Sequence, residues 1–107
     1  MENKVVLKAL LTAQSNEISE YQTYSWLAGR IKDKKNSEII GQIGRDELAH
    51  YEVIKSLTYT DVRPKKFMVL FYRFISVTFG LSFGLRLMEQ GEKAAEQKYQ
   101  GLKGEIP

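Results

Sequence analysis

The 107-residue chain contains no cysteine, only two prolines, one histidine and one tryptophan. Without cysteine it cannot form disulfides, zinc fingers, iron–sulfur clusters or thiol nucleophiles. A metal site would have to use carboxylate and imidazole ligands, which suit iron, manganese or zinc better than copper(I). Because His50 is the only histidine, one chain cannot build a site with several imidazoles.

The chain also has little excess charge, with a net charge of +3 and an isoelectric point of about 9.1. Much of the excess lies in two short basic clusters, at residues 32–35 and 63–66, which flank expected turns. Nucleic-acid binding usually needs a longer basic stripe with exposed aromatic side chains, so we expect no nucleic-acid partner. The residues from Met1 to Lys4 lack the pattern of a signal peptide, which favours a cytoplasmic location.

Apolar residues recur at steps of three and four along most of the chain, which predicts an all-α protein. A first helix is expected over residues 2–32, and a second from an N-cap at Asn36 or Ser37 to about residue 59. Because the connection is short, the two helices should form an antiparallel hairpin over residues 2–59. The length fits a single domain covering residues 1–107.

Residues 65–84 are unusually rich in aromatic and aliphatic side chains. Extended to residue 88, the stretch approaches the length of a membrane span. Arg73 and Arg86 would be costly inside a bilayer, so we favour a broken helical crossover. It would cover one side of a bundle or lie on a membrane surface. A third core helix is then expected over residues 85–103.

Each expected core helix carries one glutamate in its apolar face: Glu17, Glu47 and Glu92. An ionised carboxylate buried alone costs several kcal/mol or becomes protonated, so three of them suggest a shared cation. His50 follows Glu47 by one turn, so this E-x-x-H segment presents two ligands on one side of its helix. Glu20 is a candidate further ligand, although a solvated position is the simpler expectation.

Each of these residues also has an ordinary interpretation. Glu17 could lie at the edge of the helix interface with a lysine partner. A single histidine such as His50 is more often a hydrogen-bonded packing residue than a ligand. Three tyrosines fit core positions beside the site better than redox roles: Tyr21, Tyr24 and Tyr99. The common register of the three glutamates and the histidine nevertheless favours metal binding.

An internal repeat suggests that part of the expected site is missing. Glu17 and Tyr24 are separated by the same interval as Glu92 and Tyr99. If the first hairpin is duplicated at this offset, a second E-x-x-H helix would fall beyond Pro107. The chain would then be a fragment of a longer one, or a second copy would supply the missing ligands. Symmetric pairing is the commonest route to oligomers, so we expect a homodimer or higher homo-oligomer.

The segments Glu17 to Ala28 and Asp46-Glu47-Leu48-Ala49-His50 resemble the paired helices of the rubrerythrin and ferritin-like superfamily. More closely, the chain resembles the N-terminal ferritin-like domain of membrane proteins related to vacuolar iron transporters. The resemblance covers nearly the whole length. It rests further on the basic turn at 63–66, Gly-Leu-x-Phe-Gly-Leu at 80–85 and Met-Glu-x-Gly-Glu at 88–92.

This resemblance implies a ferritin-like bundle that lacks its fourth core helix and is completed by dimerisation. It implies a di-iron centre, in which manganese or zinc can substitute, with four ligands by matching position: Glu17, Glu47, His50 and Glu92. The implied activity is oxidation or sequestration of Fe(II), or supply of iron to a downstream membrane transporter domain. Through that domain the chain would be associated with a membrane. A non-catalytic metal sensor and a metal-free helical oligomerisation module are the two alternatives.

Overall fold

The computed structural model describes residues 2–103, with side chains for residues 4–94 and 97. Within residues 2–103 the chain forms four α-helices and no strand, which confirms the all-α prediction. Helix α1 spans Glu2–Arg30, α2 spans Lys34–Thr58, α3 spans Lys66–Phe79 and α4 spans Leu81–Lys103. No helix in this range is both long and apolar enough to cross a membrane.

Helices α1 and α2 form an antiparallel hairpin. Ser37 Oγ donates to the Ala28 carbonyl near the connection, at 2.7 Å, and Thr58 Oγ1 donates to Gln14 Oε1 at the far end, at 2.6 Å. Between these points Gly44 lets the helices approach closely, since a Cβ there would lie 3.2 Å from Tyr24 Cβ. The hairpin is thus a continuous interface that holds opposite residues of the two helices in register.

The start of α2 differs from the prediction, which placed the N-cap at Asn36 or Ser37. Asp33 is the N-cap, and its Oδ1 accepts the backbone N–H of Lys35 at 3.1 Å. The Asn36 amide instead donates to Asp33 Oδ2 at 2.9 Å. Aspartate caps helices about as well as asparagine or serine, so the first suitable residue in this polar run begins the helix.

Side chains of the hairpin fix the connection between α2 and α3. Tyr59 ends α2 in the left-handed region with φ 55°. The Val62 N–H then donates to the Tyr51 hydroxyl at 3.0 Å, and the Lys65 N–H donates to Ser19 Oγ at 2.7 Å. These bonds set the position at which α3 starts against α1.

Helix α4 begins at Leu81, one turn before the predicted start of the third core helix at residue 85. The break falls at Gly80, whose φ of 103° is accessible to glycine at little cost. Gly84 lies inside α4 and packs against Ser76 of α3. The expected crossover is therefore α3 plus the first turn of α4.

The buried apolar core lies between α1 and α4 and consists of Tyr24, Leu27 and Met88. Partly buried residues from all four helices pack around it: Trp26, Ile40, Ile43, Tyr72, Leu81 and Leu85. Because α4 packs over α1 at this core, the glutamates of α1, α2 and α4 come together at neighbouring levels of the bundle.

Candidate metal centre

Three helices bring four glutamates and one histidine to the same place. The residues form two groups in which one ligand atom per residue lies within 4.8 Å of the others. We call Glu17, Glu47 and His50 the hairpin triad, and Glu20, Glu47 and Glu92 the inner triad. Glu47 belongs to both, so its carboxylate lies between two neighbouring candidate cation positions.

The hairpin triad lies at the open edge between α1 and α2. His50 Nδ1 is 3.5 Å from Glu17 Oε2 and 3.8 Å from Glu47 Oε1. The imidazole is 61% exposed, whereas the side chains of Glu17 and Glu47 are 22% and 14% exposed. The triad therefore has a solvent-facing imidazole and two largely covered carboxylates.

One atom of this triad lacks the bond that burial usually requires. Glu17 Oε2 is buried and has no hydrogen-bond partner among the residues that the structure describes. Leaving such an acceptor unsatisfied costs roughly 1–3 kcal/mol. A cation beside Glu17 Oε2 would satisfy this oxygen. Its lack of a hydrogen-bond partner is therefore a structural sign of a missing ligand.

The inner triad lies deeper, between the hairpin and α4. Glu20 is only 9% exposed, so the expectation that it is a solvated residue was wrong. It is covered because α3 and α4 pack on this side of α1, with Met68, Tyr72 and Met88 beside it. Tyr24, which is 3% exposed, donates its hydroxyl to Glu92 Oε1 at 2.9 Å and holds that carboxylate in place.

Burial changes the ionisation of these groups. It raises the pKa of Glu17 from 4.5 to about 9 and that of Glu20 to about 10. A hydrogen bond with Glu47 and repulsion from neighbouring carboxylates reinforce both pKa shifts. Burial also raises the pKa of Glu92, although the bond from Tyr24 opposes that shift. Without a cation, burial and the neighbouring carboxylates therefore favour the protonated forms of Glu17 and Glu20.

The donor set fits a hard or borderline divalent cation. Carboxylate oxygens and one imidazole nitrogen are ligands that iron, manganese and zinc accept, and no thiolate is present in the sequence. A bound cation would also oppose the burial and repulsion that raise the pKa values of Glu17 and Glu20. The ligand types, the unsatisfied Glu17 oxygen and the close approach of the carboxyl groups all agree with a metal centre.

A cleft leads to the inner triad from the side of the crossover. Its volume is about 170 Å³, and Glu20 lies in its wall with residues of α1, α3 and α4: Asn16, Met68, Tyr72, Met88 and Gly91. Burial raises the pKa of the Tyr72 hydroxyl, and the nearby charges of Glu20 and Glu92 raise it further. The cleft gives a small solute a path to the buried carboxylates.

The structure brings together every residue that the sequence singled out as a ligand: Glu17, Glu47, His50 and Glu92, with Glu20. That any of them binds a metal stays a prediction. Asp46 is exposed and accepts from the Gln42 amide at 2.9 Å, and Glu89 is exposed. The side chains of Glu96 and Tyr99 lie outside the described residues.

The hydrogen bond between Tyr24 and Glu92 was not anticipated from the sequence. Its only local signal is that Glu20 and Tyr24 are four residues apart, on one side of α1. Comparison with protein-family models, with curated proteins and with solved structures finds no match for this chain. Support for a metal centre therefore comes from the geometry of the site.

Proposed function

We propose that this chain is a ferritin-like, di-iron carboxylate protein that oxidises or sequesters Fe(II). The observation that supports this most is the shared Glu47, because a carboxylate between two triads can bridge two ions. Di-iron carboxylate bundles use glutamates and E-x-x-H segments from neighbouring helices in this way. In such a role the protein serves iron homeostasis or passes iron to a membrane transporter.

The residues of the chain would divide the work as follows. Glu47 would serve both positions, Glu17 and His50 would complete the outer one, and Glu20 and Glu92 would complete the inner one. Glu17 and Glu20 would have to be deprotonated in that role, as metal ligands are. Iron held there can transfer electrons to dioxygen or peroxide, which is chemistry that the metal supplies.

We also propose that the active form is a homodimer. Di-iron carboxylate bundles provide four carboxylates and two imidazoles, whereas this chain offers four carboxylates and one imidazole. A second copy facing the open edge of the hairpin would bring another imidazole. Sedimentation equilibrium should give the mass of a dimer when Fe(II) or Mn(II) is present. A monomer that holds one ion per triad would contradict the dimer while leaving the metal centre intact.

Anaerobic titration of the metal-free protein with Fe(II) tests the site itself. The wild-type chain should bind one ion per triad. Glu47→Gln should abolish binding at both positions, because both triads use this carboxylate. Glu17→Gln and Glu20→Gln should each remove one position. Glu38→Gln is the matched control, since Glu38 is exposed and belongs to neither triad.

Binding that is not saturable, or that survives Glu47→Gln unchanged, would refute the proposed centre and favour a helical oligomerisation module without metal. Stopped-flow measurement of Fe(II) oxidation then separates an oxidising protein from a metal sensor. The oxidising protein should turn over Fe(II) in the wild type and lose turnover in Glu47→Gln. A sensor should bind the ion with the same stoichiometry and leave its oxidation rate at that of free Fe(II).

A further inference from the structure

Helix α3 presents an apolar stripe to solvent. Five large side chains at helical spacing form this outward face, and their exposed fractions run from 50% for Phe71 to 89% for Phe67: Phe67, Leu70, Phe71, Phe74 and Val77. Residues at such intervals lie on one side of a helix. In a soluble helix this is the side that normally packs on the core.

The opposite side of α3, which faces the bundle, carries both apolar and polar residues. It has the buried Val69 and the half-buried Met68, Tyr72 and Ile75, but also the half-buried Arg73 and the buried Ser76. The Arg73 guanidinium lies 5.3 Å from the centre of the Trp26 ring. Helix α3 is therefore apolar on both sides, and its four phenylalanines are exposed to solvent.

The outward face continues past the break at Gly80. Phe79 and Phe83 are 62% and 49% exposed, and their ring centroids are 5.6 Å apart. Contiguous exposed apolar side chains of this kind mark a surface that binds a partner or a membrane. The hairpin also exposes apolar residues, among them Val53 and Leu57 on α2, but no exposed phenylalanine.

The charges around this face identify the partner. Residues 62–88 contain five basic residues and no acidic one. Arg63, Lys65 and Lys66 are exposed at the start of α3, and Arg86 is exposed on α4 beyond Phe83. An apolar stripe of phenylalanine and leucine bordered by lysine and arginine is the composition of helices that lie in a membrane interface.

A second copy of the chain fits this face less well. Residues 62–88 offer no carboxylate to the basic residues of a symmetry-related face, so pairing two copies would bring only cations together. Anionic lipid headgroups supply the missing negative charge, and the acyl region accepts the phenylalanine rings. Each basic residue near such a surface contributes about a fivefold gain in affinity.

We propose that the outward face of α3, with Phe79 and Phe83, docks the protein onto an anionic lipid surface. The helix lies in the plane of the interface, and the hairpin with its metal centre remains in water. The docking requires neither a membrane span nor an occupied metal centre. It therefore stands or falls separately from the proposed iron chemistry.

Co-sedimentation with vesicles tests the proposal. The wild-type protein should pellet with phosphatidylcholine vesicles that contain phosphatidylglycerol and remain in solution with phosphatidylcholine alone. Added salt should weaken the binding, because exposed charges are screened. Phe71→Ser/Phe74→Ser should abolish it, and Arg63→Gln/Lys66→Gln should reduce affinity roughly thirtyfold.

Two control variants lie on the hairpin. Val53→Ser removes an exposed apolar side chain from α2. Lys32→Gln/Lys35→Gln removes two positive charges, as many as Arg63→Gln/Lys66→Gln removes, from the region where α1 connects to α2. Both controls should bind vesicles as the wild type does. Losses of binding as large as those of the α3 variants would overturn the proposal. It would also be overturned if the wild type does not bind anionic vesicles, or if it forms a lipid-free dimer that Phe71→Ser/Phe74→Ser dissociates. The wild-type comparison of the two vesicle types decides the matter even where a variant fails to fold.

Discussion

Tyr24 connects the hairpin to α4 through a single polar contact in the core. Its ring packs with Leu27 and Met88, while its hydroxyl donates to Glu92 Oε1. The side chain thus contributes to the apolar core and also orients a candidate ligand. Partners that orient ligands in this way affect metal affinity strongly, although they do not touch the ion.

Tyr24→Phe should therefore affect the inner triad selectively. Loss of the hydroxyl leaves the Glu92 carboxylate free to rotate, and affinity at this position should fall about tenfold. The folded state should lose about 1 kcal/mol, the usual value of one hydrogen bond. Anaerobic Fe(II) titration and thermal unfolding measure the two effects.

Tyr59→Phe is the control for this variant, because Tyr59 is 90% exposed and remote from the candidate ligands. It should leave both affinity and stability unchanged. If Tyr24→Phe weakens the hairpin triad as much as the inner triad, the hydroxyl is not acting through Glu92.

The sequence pattern predicts which candidate ligands lie together, but not what surrounds them. Glu17, Glu47, His50 and Glu92 share a register that helical periodicity reveals. Glu20 was expected in solvent because the hairpin alone leaves that side of α1 open. The packing of α3 and α4 on α1, which depends on long-range contacts, covers it and places Tyr24 against Glu92.

At the scale of elements, the crossing of α3 and α4 depends on a missing side chain. A Cβ at Gly84 would lie 2.0 Å from Ser76 Oγ and 3.0 Å from Ser76 Cβ. Gly84→Ala should therefore separate the helices and destabilise the fold by roughly 1–3 kcal/mol, the usual cost of overpacking. Chemical denaturation measures the change.

Gly29→Ala is the matched control, since a Cβ there meets nothing within 4 Å among the described residues. It should be neutral or stabilise the protein, because alanine favours the helix. Adding Ser76→Ala to Gly84→Ala should recover part of the loss. Additive effects of the two substitutions would show that the contact between Gly84 and Ser76 does not limit the crossing.

Some helix ends can be predicted from nearby residues alone. Turn residues predict the end of α2 near Tyr59, and Gly80 lies within the broken crossover that the sequence predicts. The start of α2 was missed because several neighbouring residues were competent caps. The apolar crossover was recognised, but the pattern alone could not tell which side of α3 would face the bundle.

At the scale of the whole molecule, the buried carboxyls make stability depend on pH. Glu17 and Glu20 have folded-state pKa values of about 9 and about 10, above their ordinary 4.5. A raised pKa means that folding favours the protonated form. Their stabilising contribution is complete below pH 4.5 and is lost as pH rises through the window up to about 9 and 10.

The metal-free protein should therefore become less stable between pH 5 and pH 9, as measured by denaturant unfolding. Glu17→Gln/Glu20→Gln should flatten this dependence, because the amides do not ionise. Fe(II) or Mn(II) should raise the melting temperature of the wild type and not of this variant, by ligand linkage. A wild-type profile as flat as that of the variant would contradict the assigned protonation.

One carboxylate in two triads also has a thermodynamic consequence. If ions bind as proposed, an ion at either position would fix Glu47 and remove negative charge that the other position would use, so the two occupancies should be coupled. Such coupling is reciprocal: whatever the first ion does to the affinity for the second, the second does to the first. The binding isotherm of the wild type should therefore depart from that of two separate sites, with cooperativity that is set by a single side chain.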